Sequence, residues 1–330
     1  MTDETASRAP NTPANPASGT TRWGTYVALG DSFTEGLWDP YPKTGPFAHT
    51  TTGADGLPHS VQRGWADRLA DGLAAHRRDA KQPQLRYANL AIRGRLLPQI
   101  IGQQLPAALD MKPDLISIVG GGNDILRPGV NLDDITRQLE HAIITARESG
   151  ADVLMGTGFR AGRGLSWTRK ATGQFNANVW SIARRHGCYV LDLWGLRSLG
   201  SFTVWADDRL HLLPGGHARV ASAALVTLGL PHVVPNGPAR PVNPVDLDAS
   251  ATPSVSRVSD SGSSGWGEDY DAPLPLGLPA TARDRLTADA RWFGQFALPW
   301  INRRLHRTSS GAGRNPTWPT LTPWPPPFGG

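Results

Sequence analysis

Cysteine is nearly absent from the sequence, with Cys188 as the single example among 330 residues. One thiol cannot close a disulfide bridge within a chain, and it cannot supply the cysteine clusters of structural zinc sites. Histidine, cysteine and acidic residues form no cluster with metal-ligand spacing either. The sequence therefore predicts no disulfide framework and no metal site.

Long apolar runs are missing as well. No stretch provides the roughly 20 consecutive apolar residues that a helix needs to span a bilayer. Residues 1–20 are polar and have no apolar centre of the kind found in secretory signals. Together these two absences lead us to expect a cytoplasmic protein.

The excess of positive charge is confined to one end of the chain. The sequence has 33 basic and 28 acidic residues, which gives a formal net charge of +5. Residues 281–330 contain seven Arg and two Asp, so they account for the whole excess. A body without net charge lacks the basic surface of a nucleic-acid-binding domain, and no nucleic-acid partner is predicted.

Composition divides the chain into five segments. Residues 1–22 are rich in Ala, Pro, Thr, Ser and Asn and predict a disordered leader. Residues 23–235 carry the patterns of regular structure, and residues 236–280, rich in Pro, Ser, Asp and Gly, predict a linker. Residues 281–307 predict an amphipathic helix, whereas residues 308–330 are Pro-rich and predict no regular fold.

The predicted helix 281–307 has two interpretations. Its basic residues and its Trp and Phe side chains are typical of a helix that lies on an anionic membrane. Alternatively, its apolar face packs against the main domain as an additional helix. We favour packing on the domain, because Pro299 interrupts the helix and its flanks are irregular.

Within residues 23–235, apolar runs of strand length alternate with segments of helical period. The strand runs are 27–29, 85–90, 114–119, 153–155 and 188–193. The helical segments are 64–78, 95–109, 132–149, 170–186 and 215–228. This alternation predicts right-handed crossovers and a five-stranded parallel sheet with helices on both faces.

The first strand run leads into the sequence GDSF, which begins at Gly30. A buried strand that ends in a tight turn presents the next side chain, Ser32, at the carboxyl edge of the sheet, where α/β proteins bind ligands. A serine hydroxyl is a weak nucleophile by itself. A catalytic role for Ser32 therefore requires a base and a site for an oxyanion elsewhere in the chain.

Three further blocks follow in order. They are NLAIRG, which ends at Gly94, GGGND at 120–124, and DDRLH at 207–211. With GDSF, they resemble the four blocks of the SGNH (GDSL-type) hydrolases, over roughly residues 24–230. The resemblance implies a flavodoxin-like three-layer α/β/α fold, followed here by the C-terminal helix and irregular tails. It also implies a serine esterase or acylhydrolase that acts on a small-molecule ester without a cofactor.

The resemblance also assigns roles to residues. Ser32 is implied as the nucleophile, His211 as the base and acid, and Asp208 as the residue that orients the imidazole. The Ser32 N–H, the Gly94 N–H and the Asn123 side chain are implied as the oxyanion hole. Losing one such donor typically costs about 10²–10³ in rate.

Several of these positions have simpler interpretations. Asp207 competes with Asp208, although the Asp-x-x-His spacing of the family favours Asp208. Gly94 is also consistent with an ordinary turn glycine, and Asn123 with a turn former after a strand. His217 is interpreted as a histidine at a helix start or on the surface.

The type of ester is left open between two classes. A carbohydrate O-acetylesterase is the alternative to a general esterase, since one fold hosts both. Sugar recognition favours exposed aromatic side chains near the cleft, for which Trp38 and Trp205 are candidates. A long acyl chain requires an apolar groove instead.

Overall fold

The computed structural model of the protein describes residues 21–41, 50–52, 58–162, 164–230, 268–277, 281–299, 311 and 313–325. Most of the predicted leader and linker, and the end of the predicted C-terminal helix, lie outside these residues.

The described residues form eight strands. In chain order they are β1 Thr25–Gly30, β2 Thr50–Thr52, β3 Pro58–Ser60, β4 Leu85–Asn89, β5 Leu115–Val119, β6 Asp152–Gly156, β7 Tyr189–Leu191 and β8 Trp318–Trp324. Six of them make one sheet in the order β7-β6-β5-β1-β4-β8, and β2 and β3 make a separate antiparallel pair. The five strands from β7 to β4 are parallel, whereas β8 runs antiparallel to β4.

Helices connect these strands. They are α1 Ser32–Glu35, α2 Gly64–Asp79, α3 Leu97–Gln99, α4 Leu105–Asp110, α5 Gly122–Ile125, α6 Leu132–Glu148, α7 Arg169–His186, α8 Pro214–Thr227, α9 Glu268–Asp271 and α10 Ala282–Trp292. Three 3₁₀ turns lie at Ser166–Thr168, Arg197–Gly200 and Phe202–Val204, and two π-helical turns at Ile100–Gln104 and Phe293–Ala297. No described helix has both the length and the apolar character needed to cross a bilayer.

The predicted helix 95–109 is divided in the structure. Pro98 and Pro106 lie near the starts of α3 and α4, and a π-helical turn joins the two. Proline is tolerated in the first turn of a helix, where its missing N–H has no intrahelical partner. Pro98 is therefore accommodated in the first turn of α3, and Pro106 follows a π-helical turn within a continuous helical segment.

Side chains of β1 alternate between two cores. Tyr26 and Ala28 belong to the cluster that includes residues of α2 and α8, whereas Val27 and Leu29 belong to the cluster that includes residues of α6 and α7. Successive side chains of a strand point to opposite faces of the sheet, so each face is covered by its own helices. The predicted three-layer α/β/α fold is confirmed.

The order of the parallel strands locates a ligand site. Numbered along the chain from first to fifth, they lie in the order 2-1-3-4-5, which is the flavodoxin-like order. The chain moves from β1 to β4 on one side and then to β5 on the other side of β1. A crevice forms at the carboxyl ends of strands where the order reverses, and it is the usual ligand site of open α/β sheets.

Strand β8 lies in the segment for which the proline content predicted no regular fold, and here the structure differs from that expectation. It pairs with β4, with Leu85 opposite Trp324 and Tyr87 opposite Thr322. A strand at the edge of a sheet needs ladder hydrogen bonds on one side only, so prolines can be accommodated there. The sheet consequently has six strands rather than the five predicted.

Two tryptophans hold β8 in place. Trp318 and Trp324 are buried, and their indole N–H groups donate to Asp67 at 3.0 Å and Asp71 at 2.8 Å in α2. The ring of Trp324 also lies 4.8 Å from that of Tyr87 in an edge-to-face arrangement. Burial of two large aromatic rings stabilises a strand that has little intrinsic preference for the sheet.

Replacing Trp324 with alanine is expected to lower the free energy of unfolding by about 3–5 kcal/mol, because a fully buried ring and its hydrogen bond are removed. Chemical denaturation followed by circular dichroism measures this change. Thr320→Ala, at an exposed position of the same strand, is the matched control and should cost less than about 1 kcal/mol. Equal stability of the two variants would contradict the packing described for β8.

Candidate active site

Ser32 lies at the first position of α1, immediately after β1. Asp31 caps this short helix, and its Oδ1 accepts a hydrogen bond from the Phe33 N–H at 3.0 Å. A Cβ at Gly30 would lie 2.4 Å from Thr34 Oγ1, so only glycine allows the turn to be this tight. The turn therefore fixes the Ser32 side chain at the carboxyl edge of the sheet.

The Ser32 hydroxyl begins a chain of hydrogen-bonding groups. His211 Nε2 lies 2.8 Å from Ser32 Oγ, and His211 Nδ1 lies 2.7 Å from Asp208 Oδ2. Ser32 is 179 positions from His211 in the sequence, and the fold brings it to the turn that carries both Asp208 and His211. The arrangement can move a proton from the hydroxyl to the imidazole while the carboxylate stabilises the resulting cation.

A tight turn orients the carboxylate and the imidazole. Asp208 Oδ1 accepts hydrogen bonds from the backbone N–H groups of Leu210 and His211, both at 3.0 Å. Burial opposes ionisation of Asp208, but the hydrogen bonds and the nearby imidazole outweigh it, so the pKa of Asp208 lies below its ordinary value. Asp207 is exposed, and of the two candidates it is Asp208 that the structure brings to His211.

Gly94 and Asn123 line the same cavity as Ser32. Gly94 has a φ of 75°, in the left-handed region that favours glycine. The residue before it is held in place, because Glu35 accepts hydrogen bonds from the backbone N–H and the guanidinium of Arg93. The loop that presents Gly94 is thereby tied to α1.

The Asn123 amide follows the turn at the end of β5. Its Nδ2 donates to Asp31 Oδ2 at 3.0 Å and to the Arg95 carbonyl at 3.1 Å. Burial raises the pKa of Asp31 to about 6, although hydrogen bonds from the Phe33 N–H and Asn123 act in the opposite direction. The amide is thus aimed by two protein acceptors, at the edge of the cavity that also holds Ser32.

The cavity has a volume of about 300 Å³. Apolar side chains make up most of its wall. They are Phe33, Leu37, Ile125, Leu126, Phe159, Ala161, Leu165, Phe175, Leu210 and Phe296. Within the described part of the chain, no group of three or more His, Cys, Asp or Glu residues has an arrangement that could hold a metal ion.

The two tryptophans that the sequence suggested for sugar binding both donate hydrogen bonds within the protein. The Trp38 indole N–H donates to Asp208 Oδ2 at 2.9 Å, and the Trp205 indole N–H donates to the Leu199 carbonyl at 2.8 Å. Neither tryptophan is among the described residues that line the cavity. The contact of Trp38 with the carboxylate was missed by the sequence analysis, since no motif includes this residue.

His217 lies at the start of α8 but not on the surface, so the surface interpretation is wrong. Its side chain is fully buried, and its Nε2 donates to the Leu37 carbonyl at 3.2 Å. Burial lowers the pKa of His217 to about 4, so the ring is neutral near pH 7. Its hydrogen bond fixes the backbone of Leu37, whose side chain lines the cavity.

Comparison with known proteins agrees with the geometry. Residues 28–219 match the model of the GDSL-like lipase/acylhydrolase family. Among curated proteins, no sequence matches the chain significantly.

Solved structures of similar fold were also found. A variant of Axe2, an acetyl xylan esterase from Geobacillus stearothermophilus, is 21% identical, with a TM-score of 0.51 over 64% of this chain and 96% of that chain. LAE5, an α/β hydrolase from the metagenome of Lake Arreo, Spain, is 20% identical, with a TM-score of 0.49 over 62% and 95%. At these identities the likeness to Axe2 extends to the fold alone.

Proposed function

Since the chain belongs to the GDSL-like lipase/acylhydrolase family and is a carboxylic ester hydrolase, we propose that Ser32, His211 and Asp208 carry out its reaction. One observation supports this above all. The Ser32 hydroxyl, the His211 imidazole and the Asp208 carboxylate form a continuous hydrogen-bonded chain, with distances of 2.8 and 2.7 Å, on the wall of an apolar cavity.

In the proposed reaction, Ser32 Oγ attacks the carbonyl carbon of the ester while its proton moves to His211 Nε2. The Asp208 carboxylate accepts a hydrogen bond from Nδ1 and stabilises the imidazolium cation. Collapse of the tetrahedral intermediate breaks the bond to the alcohol, which leaves with the proton from His211. A water molecule then attacks the acyl-enzyme with His211 as the base, and the carboxylic acid is released.

The negative charge of the tetrahedral intermediate needs preset donors. We assign this role to the Ser32 N–H, the Gly94 N–H and the Asn123 side chain. Asn123 already donates to Asp31 and to the Arg95 carbonyl. The oxyanion would therefore share an amide hydrogen of Asn123 with one of these acceptors, or take that acceptor's place. The existing contacts hold the amide in place before the substrate binds, and preorganised donors are the effective ones in catalysis.

Asn123→Ala is expected to lower kcat by about 10²–10³-fold with a smaller change in KM, because the lost donor acts chiefly on the developing oxyanion. Steady-state kinetics on a p-nitrophenyl ester measures both constants. Asn178→Ala, which removes an amide on α7 that bonds to Thr136, is the control and should leave kcat unchanged. A loss of less than about fivefold in Asn123→Ala would remove this residue from the proposed site.

The wall of the cavity favours the acyl part of an aliphatic ester as its occupant. Cavities of this kind bind apolar groups and use a few polar groups to orient them. The carbohydrate O-acetylesterase alternative has one of its two candidate aromatics beside the cleft, since Trp38 is exposed and bonds to Asp208, but neither Trp38 nor Trp205 belongs to the described cavity wall, which is mostly apolar. We therefore propose aliphatic carboxylic esters as the substrate class.

An ester panel tests this proposal. We expect the protein to hydrolyse p-nitrophenyl acetate and butyrate, and to do so with a higher kcat/KM than it shows for acetyl groups on xylan. Preference for acetylated xylan would favour the carbohydrate alternative. Failure of the folded protein to hydrolyse any member of the panel would contradict the proposed function.

A further inference from the structure

Helix α10 lies outside the residues that match the family model, yet it contacts the turn that carries Asp208 and His211. The Trp292 indole N–H donates to the Asp208 backbone carbonyl at 2.9 Å. The acceptor belongs to the main chain of Asp208, whose carboxylate bonds to the His211 imidazole. This hydrogen bond therefore couples α10 to the backbone of Asp208.

A second contact from α10 reaches the next residue of the turn. Asp289 Oδ1 lies 2.7 Å from Arg209 Nη1, in an ion pair whose two side chains are largely shielded from solvent. The Arg209 guanidinium also lies 5.1 Å from the centre of the Trp292 ring. Arg209 is thus held by a carboxylate and an aromatic face of the same helix.

The backbone of Arg209 explains why such support matters. Its φ is 59°, in the left-handed region that residues with a side chain rarely adopt. This conformation lies in the turn between Asp208 and His211, in which the Asp208 carboxylate faces the imidazole and the imidazole faces Ser32. A strained residue persists where its surroundings fix it, and here Asp289 and Trp292 are part of those surroundings.

Helix α10 also approaches the cavity itself. Phe296, in the π-helical turn that follows α10, is one of the side chains that line the cavity. Leu286 and Phe293, at neighbouring positions of the same helical segment, remain solvent-exposed. The face with Trp292 and Phe296 therefore belongs to the surroundings of the active site.

We propose that Asp289 and Trp292 are positioning residues for catalysis, which hold the Asp208–His211 turn in its active geometry through the Asp208 carbonyl and the Arg209 guanidinium. This inference rests on the proposed function, because it assumes that Asp208 and His211 act on Ser32. It makes the C-terminal segment a functional part of the enzyme. A displacement of about 1 Å at catalytic groups typically costs about 10²-fold in rate.

Three variants of the full chain test the proposal. Trp292→Phe keeps an aromatic ring but removes the indole N–H, Asp289→Asn removes the charge but keeps the shape, and Trp292→Ala removes the whole side chain. Leu286→Ala, on the exposed side of α10, is the matched control. For each variant, kcat, KM and the free energy of unfolding are measured at a temperature where all proteins are folded.

We expect kcat to fall by about 10- to 100-fold in Trp292→Ala and by a smaller factor in the two conservative variants, with KM within about twofold of the original protein. Leu286→Ala should retain full kcat. Unchanged kcat in folded Trp292→Ala and Asp289→Asn would overturn the proposal, even if stability falls. An equal loss of kcat in Leu286→Ala would also overturn it. If Trp292→Ala does not fold, the two conservative variants decide between these outcomes.

The proposed function can fail separately. In that case Ser32→Ala retains the activity of the original protein, regardless of the kcat values of the α10 variants. Loss of activity in Ser32→Ala, with kcat unaffected by changes in α10, would overturn the positioning role alone.

Discussion

Ser32→Ala is expected to lower kcat for ester hydrolysis by about 10⁶-fold, which is the typical loss when the nucleophile of such a triad is removed. The Ser32 hydroxyl lies 2.8 Å from His211 Nε2 on the wall of the cavity, and no acyl-enzyme can form without it. KM for the residual reaction should change little, because the cavity wall remains intact. Stopped assays over long times are needed to quantify the remaining rate.

Ser198→Ala is the matched control for this experiment. Ser198 is buried, and its hydroxyl finds no hydrogen-bond partner among the described residues. Removing that hydroxyl should leave both kcat and stability close to those of the original protein. A purified Ser32→Ala protein that retains more than about 1% of the original kcat would argue for a different nucleophile.

Asp208→Asn is expected to lower kcat by about 10⁴-fold, although the substitution preserves shape. Both carboxylate oxygens of Asp208 accept hydrogen bonds. Oδ2 accepts from His211 Nδ1 and the Trp38 indole, and Oδ1 accepts from the backbone N–H groups of Leu210 and His211. An amide group must direct its NH₂ at one of these sets of donors.

Either orientation of the introduced amide harms the site. If the NH₂ faces His211, Nδ1 must accept its hydrogen bond, and the proton of the neutral ring then lies on Nε2. A protonated Nε2 cannot accept the proton of Ser32. If the NH₂ faces the backbone N–H groups, hydrogen-bond donors point at one another and the turn is destabilised.

Asp207→Asn is the control, because Asp207 directly precedes Asp208 but is exposed. It should keep kcat within about twofold of the original value, since exposed substitutions that remove no buried contact usually have small effects. A larger effect at Asp207 than at Asp208 would reverse the assignment.

Much of the fold could be predicted because the parallel strands of the central sheet are buried on both faces. Such strands appear in the sequence as continuous apolar runs, of which Leu115–Val119 is the clearest example. The alternation of strands and helices then fixes a parallel sheet with right-handed crossovers. The positions of Ser32 and Asn123 follow from this topology, since each comes directly after a strand near the centre of the sheet.

Strand β8 could not be predicted for a reason that is equally physical. Its sequence contains Pro319 and Pro323, which local propensity treats as strand breakers. What stabilises it is the burial of Trp318 and Trp324 against α2 and β4, which are far away in sequence. A long-range contact of this kind leaves no periodic signal in the segment itself.

The supporting residues of the site escaped the sequence for the same reason. Trp38, Asp289 and Trp292 all contact the Asp208–Arg209 segment, but each does so from a position that no motif specifies. The amphipathic pattern of residues 281–307 indicated a helix and left its partner open. The structure shows that Trp292 contacts the turn next to His211, whereas Leu286 and Phe293 remain exposed.

Labelling with a fluorophosphonate, followed by mass spectrometry of the peptides, tests the central claim most directly. Such a probe forms a covalent bond with a serine that an adjacent base has activated and releases fluoride. We predict a single adduct on the peptide that contains Ser32, formed rapidly in the original protein and far more slowly in His211→Ala. A folded protein that forms no adduct, or that carries the adduct on a different residue, would contradict the assignment of Ser32 as the nucleophile.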